Sequence, residues 1–297
     1  MNLHSVIDLY AYGTSEGVTK AWDTRGRGRK PPPTKPIPPG KTTEDVWKDP
    51  VTRKYAPERE EWHQQFADDA IAGKVPAVGR RPIAVILGGG TASGKSTLAR
   101  RIGAENPNDV HVDADSIKPQ IPEHADLREQ EGEQPTQTFQ RNPNLASSRE
   151  HEESSDIAKL ILAKAAANGL DIVYDATSSG NSLAGIVNSL HMKGYDVRGV
   201  FADVPEDIAM VRAEKRAADP SDPAGFGRHI PISAMHSTHT GAAANFMLYK
   251  DSPMFDSMKL YNTIGDAPKL VYSRIGSEKG VVDDPEYWEF YKKKAAS

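Results

Sequence analysis

The 297-residue sequence contains no cysteine. Disulfides, thiolate nucleophiles and cysteine-based zinc sites are excluded on that ground. No apolar run approaches the roughly 20 residues needed to cross a bilayer, so no membrane span is expected. The opening residues, MNLHSVIDLYAYG, lack a basic stretch followed by a long apolar core. No secretory signal is expected, and the cytoplasm is the expected compartment. Strong net charge is missing too: 37 Lys and Arg stand against 41 Asp and Glu, giving −4. The charge is uneven. Residues 20–41, KAWDTRGRGRKPPPTKPIPPGK, hold seven basic residues and one acidic residue, so they carry +6 and the remainder −10. A net-acidic remainder argues against a nucleic-acid groove there. The basic stretch, rich in Pro and Gly, reads as a solvated linker or arm, and any partner it has would be acidic.

Three regions follow. Residues 1–55 read as a basic, Pro/Gly-rich, largely irregular extension that adds little to a core. Its removal is expected to leave stability nearly unchanged. Residues 56–80 read as a lead-in helix, with Trp62, Phe66, Ala70 and Ile71 at helical spacing and Gly73 as its stop. Residues 81–297 read as the main domain. There, strands at 83–87, 109–112, 171–174, 196–202 and 269–273 alternate with helices starting near Lys95, Glu152, Asn181, Pro205 and Pro231. Such alternation predicts an α/β fold, a mostly parallel sheet with helices on both faces. Ligands of these sheets lie at the carboxyl ends of the strands.

The motifs cluster at those ends. Behind the apolar run IAVIL comes GGGTASGKST. Gly89, Gly90, Thr91, Ala92, Ser93, Gly94, Lys95 and Ser96 match the phosphate-loop pattern in full, and Thr97 continues it into a helix. Glycines let backbone N–H groups turn inward around phosphate oxygens; Lys95 reaches the β- and γ-phosphates and the Ser96 hydroxyl sits on magnesium. No guanine-reading NKxD motif is present, so ATP is the expected nucleotide. HVDADSIK puts Asp113 and Asp115 just past a strand, where a carboxylate can take the proton of an acceptor hydroxyl as the γ-phosphoryl leaves. IVYDATSSGNS ends the next strand with Asp175, Thr177, Ser178 and Ser179. That hydroxyl-rich cluster suits a polyhydroxylated acceptor such as a sugar, and Asp175 could instead support magnesium through water. VRAEKRAADPSDPAGFGRHIP places Arg212, Arg216 and Arg228 around a Pro/Gly-rich lid, where guanidinium groups suit a transferring phosphoryl. Helical Arg212 also fits a solvated face. His229, His236 and His239 have no acidic partner at metal-site spacing and fit a structural or substrate-lining role.

Over roughly residues 78–275 this set resembles the zeta toxin family of P-loop kinases. GGGTASGKST resembles the family's ATP loop, with Lys95 and Ser96 in the matching places. VDADSIK resembles its strand-end motif, whose second Asp is the catalytic base; that implies the base role for Asp115 and a place beside the acceptor for Asp113. YDATSS is similar to the segment that binds the acceptor sugar, implying binding roles for Asp175 and Thr177, although the family's acid there is usually Glu. The family's two ATP-contacting arginines match Arg216 and Arg228. An arginine that some members set on the sugar nucleotide falls at Ser179. For a further family glutamate, on the helix before that strand, Glu152 and Glu153 are the nearest candidates. FDSMKLYN and KLVYS resemble the closing strands. The resemblance implies a doubly wound P-loop kinase fold with an Arg-bearing lid. It implies ATP- and magnesium-dependent phosphorylation of the 3′-hydroxyl of UDP-N-acetylglucosamine, or of a similar nucleotide-sugar-like molecule. Related enzymes act on NAD or polynucleotide ends. Any antitoxin would be a separate protein. Outside the match, GTSEGVTKAW resembles segments of phage virion proteins that carry such kinase domains, which would make a virion component the partner of the arm.

Overall fold

The computed structural model describes residues 32–98, 100, 106–131, 145–217, 232–265 and 267–297. Residues 20–31 of the basic stretch, and Arg228 and His229 of the expected lid, lie outside them. In chain order the elements are α1 (Thr43–Trp47), α2 (Pro57–Ile71), β1 (Ile83–Gly88), β2 (Val110–Asp113), α3 (Ala114–Ile117), a 3-10 turn (Lys118–Gln120), α4 (His124–Glu131), α5 (Leu145–Arg149), α6 (His151–Ala167), β3 (Ile172–Asp175), α7 (Ser182–Met192), β4 (Asp196–Asp203), α8 (Glu206–Ala217), α9 (Ile232–Tyr249), β5 (Ser257–Asn262), β6 (Lys269–Ile275), β7 (Val281–Val282) and α10 (Pro285–Ala295). Residues 95–98 are helical as well. Among the described residues, no helix is long and apolar enough to cross a membrane.

All seven strands form one sheet in the order β2-β3-β1-β4-β5-β6-β7. The first five run parallel, and β6 and β7 are antiparallel additions at one edge. The parallel arrangement explains why β1 is an unbroken apolar run. Strands buried on both faces need no polar alternation, and five of the six residues of β1 are buried. The expected strands lie within two residues of those observed. The sequence expectation had no β7, no α10 and none of the short helices α3 to α5.

The chain divides into two compact units. The sheet unit takes the described residues within 67–113, 158–213 and 232–297. Its core holds Ile86, Leu87, Ile172, Val197, Phe201, Met258 and Leu260, all buried. Phe246 of α9 meets Phe201 at 5.2 Å, and Tyr272 and Tyr291 at 5.6 Å, while Trp288 stacks on Tyr272 at 5.1 Å. Edge-to-face and offset contacts of this kind add to the area they bury. They fasten α10 to the sheet.

The other unit takes the described residues within 32–66, 114–157 and 214–217. It is organised around a fully buried arginine. The Nε of Arg59 donates to Glu153 Oε1 at 2.6 Å, and its two terminal nitrogens reach Glu123 Oε2 at 2.8 Å and the Pro33 carbonyl at 2.7 Å. His63 Nε2 lies 2.6 Å from the same Glu153 oxygen. The indole of Trp47 donates to Glu123 Oε1 at 2.9 Å, and its ring lies 4.7 Å from the Arg59 guanidinium. The backbone N–H of Lys35 also donates to Glu123, at 3.1 Å. Nearby, Arg149 donates to the carbonyls of Lys41 at 2.6 Å and Pro38 at 2.8 Å.

Residues 32–41 are therefore packed rather than a solvated linker, which argues against the expectation that residues 1–55 can be removed without loss. Ile37, Thr43 and Trp47 are buried, and their segment supplies partners to two buried guanidinium groups. The physical reason is polar rather than apolar. Breaking a buried ion pair strands a charge away from water, at a cost of about 3–5 kcal/mol. Deletion of residues 1–55 should therefore abolish soluble expression or sharply lower the melting temperature. Trp47→Ala should cost about 3–5 kcal/mol in urea unfolding; near-equal stability would show that the segment is dispensable.

The same network sets an acid limit. Burial raises the pKa of Glu153, but the hydrogen bonds from His63 and Arg59 outweigh it and hold it down at about 2. A depressed carboxylate stabilises the fold above its unfolded value, near 4.5, and that contribution is lost as pH falls toward about 2. The urea midpoint should drop between pH 5 and pH 3, and Glu153→Gln should flatten that drop. An unchanged slope in the variant would remove Glu153 as its source.

Candidate active site

Within the sheet unit, β1 runs straight into the glycine loop, and residues 95–98 begin the helix behind it. The first N–H groups of a helix have no acceptor within it, which favours an anion there. The loop has little bulk of its own, and neighbours crowd it. Gly89 has φ +136°, and a Cβ there would lie 2.2 Å from the Ala202 carbonyl oxygen. A Cβ on Gly90 would lie 2.2 Å from the imidazole of His239. Ala92 adopts φ 57°, a left-handed conformation that L-residues seldom take. The Gly89 N–H donates to the Thr177 carbonyl at 3.1 Å, so the end of β3 holds the start of the loop. Thr263, just past β5, donates its hydroxyl to the Ser93 carbonyl at 2.5 Å and to the Asp203 carbonyl at 3.1 Å. The Lys95 ammonium donates back to the carbonyls of Gly89 at 3.1 Å and Gly90 at 3.3 Å.

Two carboxylates close the neighbouring strands. Asp113 of β2 pairs in register with Asp175 of β3, and Asp175 with Leu87 of β1. Neighbouring strands lie about 4.8 Å apart, so Asp175 sits beside the root of the loop and Asp113 one strand further out. Beyond Asp175 the chain turns sharply at Ser178, which has φ 53°. Its buried hydroxyl donates to the Leu87 carbonyl at 3.0 Å, and Asn245 of α9 donates to the Ser178 carbonyl at 2.7 Å. The turn brings the hydroxyls of Thr177 and Ser179 to 2.9 Å of each other. Arg212 is no surface ornament: it donates to the carbonyls of Thr263 at 2.6 Å and Ile264 at 3.0 Å. His236 pairs with Glu206 at 3.1 Å, and His239 is buried. No group of three or more His, Asp or Glu side chains fit to hold a metal occurs among the described residues.

Asp203, at the end of β4, was not singled out from the sequence. It accepts from Lys294 at 2.8 and 3.0 Å and from the Tyr287 hydroxyl at 2.9 Å. Burial pushes its pKa up to about 6, against the pull of Lys294. Nothing local in the sequence links Lys294, three residues from the chain end, to a strand terminus.

In the other unit, Asp115 lies in α3 with its side chain 51% exposed. The buried Lys118 ammonium bonds its Oδ1 at 2.8 Å and the Ser147 hydroxyl at 3.0 Å. Glu153 has both oxygens committed to Arg59, at 2.6 and 3.1 Å, and is fully buried. That commitment gives it a scaffold role and corrects the expectation of a sugar contact. Glu150, about one turn earlier in REHEESSD, is also fully buried, with Oε2 2.8 Å from His124 Nδ1. Its Oε1 has no hydrogen-bond partner among the described residues. Burial raises its pKa, against His124 and Lys118. Arg216 lies in the last turn of α8.

The comparisons with known proteins agree with this architecture. The model of the family described as Zeta toxin matches residues 68–268. No curated protein matches the chain. Among solved structures, the AvrRxo1-ORF1:AvrRxo1-ORF2 complex with sulphate ions aligns at 20% identity and TM-score 0.63, over 86% of this chain and 83% of that one. The same complex solved with ATP aligns at 19% identity and TM-score 0.61, over 86% and 83%. A structure of the PezAT chromosomal toxin–antitoxin system of Streptococcus pneumoniae aligns at 14% identity and TM-score 0.56, over 81% and 96%. At such identities the likeness speaks for the fold. The family match spans about two thirds of the sequence, and the sheet order and phosphate loop fit it: the chain has a P-loop kinase-like fold and belongs to the Zeta toxin family.

Proposed function

We propose that the protein is an ATP- and magnesium-dependent kinase that phosphorylates a hydroxyl of a nucleotide-sugar-like molecule, with the 3′-hydroxyl of UDP-N-acetylglucosamine as the favoured acceptor. The observation that carries the reading is the braced phosphate loop, with the Asp175 carboxylate beside its root and the in-register Asp113 one strand further out. Its solved likeness containing ATP supports the choice of nucleotide. Lys95 would leave the Gly89 and Gly90 carbonyls for the β- and γ-phosphates. Loop N–H groups would hold the remaining phosphate oxygens.

The residues present fit a magnesium ion. Asp113 and Asp175 are hard oxygen donors side by side at the strand ends, and Ser96 opens the helix. Two carboxylates and a hydroxyl suit an ion that keeps several waters and takes its other ligands from phosphates. When bound, magnesium neutralises charge on the β- and γ-oxygens.

In the reaction, the acceptor oxygen forms a bond to the γ-phosphorus as the bond to the ADP oxygen breaks. Asp115 takes the hydroxyl proton, with its rotamer fixed by Lys118 through Oδ1. Thr177 and Ser179 contribute hydrogen bonds to the sugar, and Asp175 would join them where it does not serve the ion. Arg216 and Arg228 stabilise charge on the transferring phosphoryl. A separate antitoxin, as in the PezAT system, would restrain the activity.

The tests separate binding from transfer. Asp115→Asn should keep ATP affinity in calorimetry and lose phosphate transfer to UDP-N-acetylglucosamine. Lys95→Ala should weaken both. Equal loss of ATP affinity in the two variants would make Asp115 a nucleotide-site residue. Arg228→Ala should lower kcat more than it raises the KM for ATP. Arginines that stabilise phosphoryl transfer are worth about 10³–10⁵ in rate, and Arg228→Ala should fall near the lower end while Arg216 remains. Arg228→Lys should restore only part, because a point charge lacks the bidentate fork. Wild-type turnover in Arg228→Ala at saturating ATP would remove the arginine from the mechanism.

A further inference from the structure

His239 of α9 is buried against the phosphate loop. Its Nε2 lies 2.9 Å from the Thr91 carbonyl oxygen. A carbonyl only accepts, so Nε2 carries a proton, and in the neutral ring the lone pair is at Nδ1. Nδ1 has no hydrogen-bond partner among the described residues, and the Asp203 carboxylate lies 3.9 Å from it. Asp203 is held in turn by Lys294 and Tyr287. Burial lowers the His239 pKa to about 4, so the ring is neutral at physiological pH.

The residue before it completes the grip. Thr238 accepts from the Thr91 N–H at 3.3 Å. Consecutive residues of one helix therefore hold both backbone polar groups of Thr91. The imidazole also fills the space that a Cβ on Gly90 would need, 2.2 Å from Cδ2. Gly90 is not among the positive-φ glycines. Its lack of a side chain answers to the ring beside it rather than to backbone strain.

We propose that His239 is a positioning residue of the nucleotide site: its imidazole, seated on Gly90, holds the Thr91 carbonyl so that the loop keeps its N–H groups turned toward phosphate. Nothing in this role requires His239 to touch ATP. The inference rests on the loop holding ATP. A filler of the same bulk would pack equally well but would leave the half-buried Thr91 carbonyl without its protein donor, and the loop would then re-aim that peptide.

The test measures ATP affinity and melting temperature on the full chain. His239→Gln keeps an N–H donor near the Nε2 position, whereas His239→Leu keeps bulk without a donor. The expected result is His239→Gln within about threefold of wild type and His239→Leu weaker by about tenfold, the scale of one hydrogen bond. The two variants should melt at similar temperatures. A second arm uses Gly90→Ala, which should weaken ATP binding in the wild-type background and add little in a His239→Ala background. That coupling remains readable should His239→Leu fail to fold. Leu binding ATP as tightly as wild type, Gln and Leu weakened equally, or additive losses for Gly90→Ala and His239→Ala would each overturn the proposal. A wild-type chain that binds no ATP would instead overturn the kinase reading, and this inference with it.

Discussion

A glycine loop that must point its peptide N–H groups at an anion cannot fix its own shape, because it lacks the side chains to do so. The elements around it impose that shape. The end of β3 takes the Gly89 N–H, Thr263 past β5 takes the Ser93 carbonyl, and α9 takes both backbone polar groups of Thr91. The parallel sheet is what makes this possible. It delivers the carboxyl ends of β2, β3, β1, β4 and β5 to one edge, where acids, hydroxyls and loop meet. Asp203, clamped by Lys294, extends that bracing to the last helix of the chain.

The second unit follows a different economy. Its centre is the Arg59, Glu123 and Glu153 cluster, set among buried apolar residues such as Ile37, Trp62, Ile121 and Leu127. Such a cluster specifies one arrangement closely, since each charge left without its partner is expensive. It also explains why a segment as poor in apolar residues as 32–55 is folded at all. Pro33, Lys35 and Trp47 enter as hydrogen-bond and cation–π partners, with Lys35 Nζ 3.9 Å from the Trp47 ring.

Much of the sheet unit was legible in the sequence because its signals are local. The apolar run with its glycines, Lys95 and Ser96, and each acid behind its short strand, are each written in a few consecutive residues. The bracing was not legible. Arg59 lies 94 residues from Glu153, and Lys294 lies 91 from Asp203. No periodicity reports a pairing at that range. The case of Glu150 and Glu153 shows the limit sharply. Both lie in one short acidic stretch, both are buried, and only the fold decides that Glu153 faces Arg59 and Glu150 faces His124. The same holds for the histidines. The sequence suggested a structural or substrate-lining place for His239, but not its grip on the loop.

The central claim is phosphoryl transfer from ATP to a hydroxyl of a nucleotide sugar. The most direct measurement is the mass of UDP-N-acetylglucosamine after incubation with the purified chain, ATP and magnesium, with the modified position located by NMR. The account predicts a gain of one phosphate at the 3′-hydroxyl, coupled to ADP formation. An acceptor that stays unmodified while NAD or an oligonucleotide end gains the phosphate, or ATP that is never consumed with any of them, would contradict it.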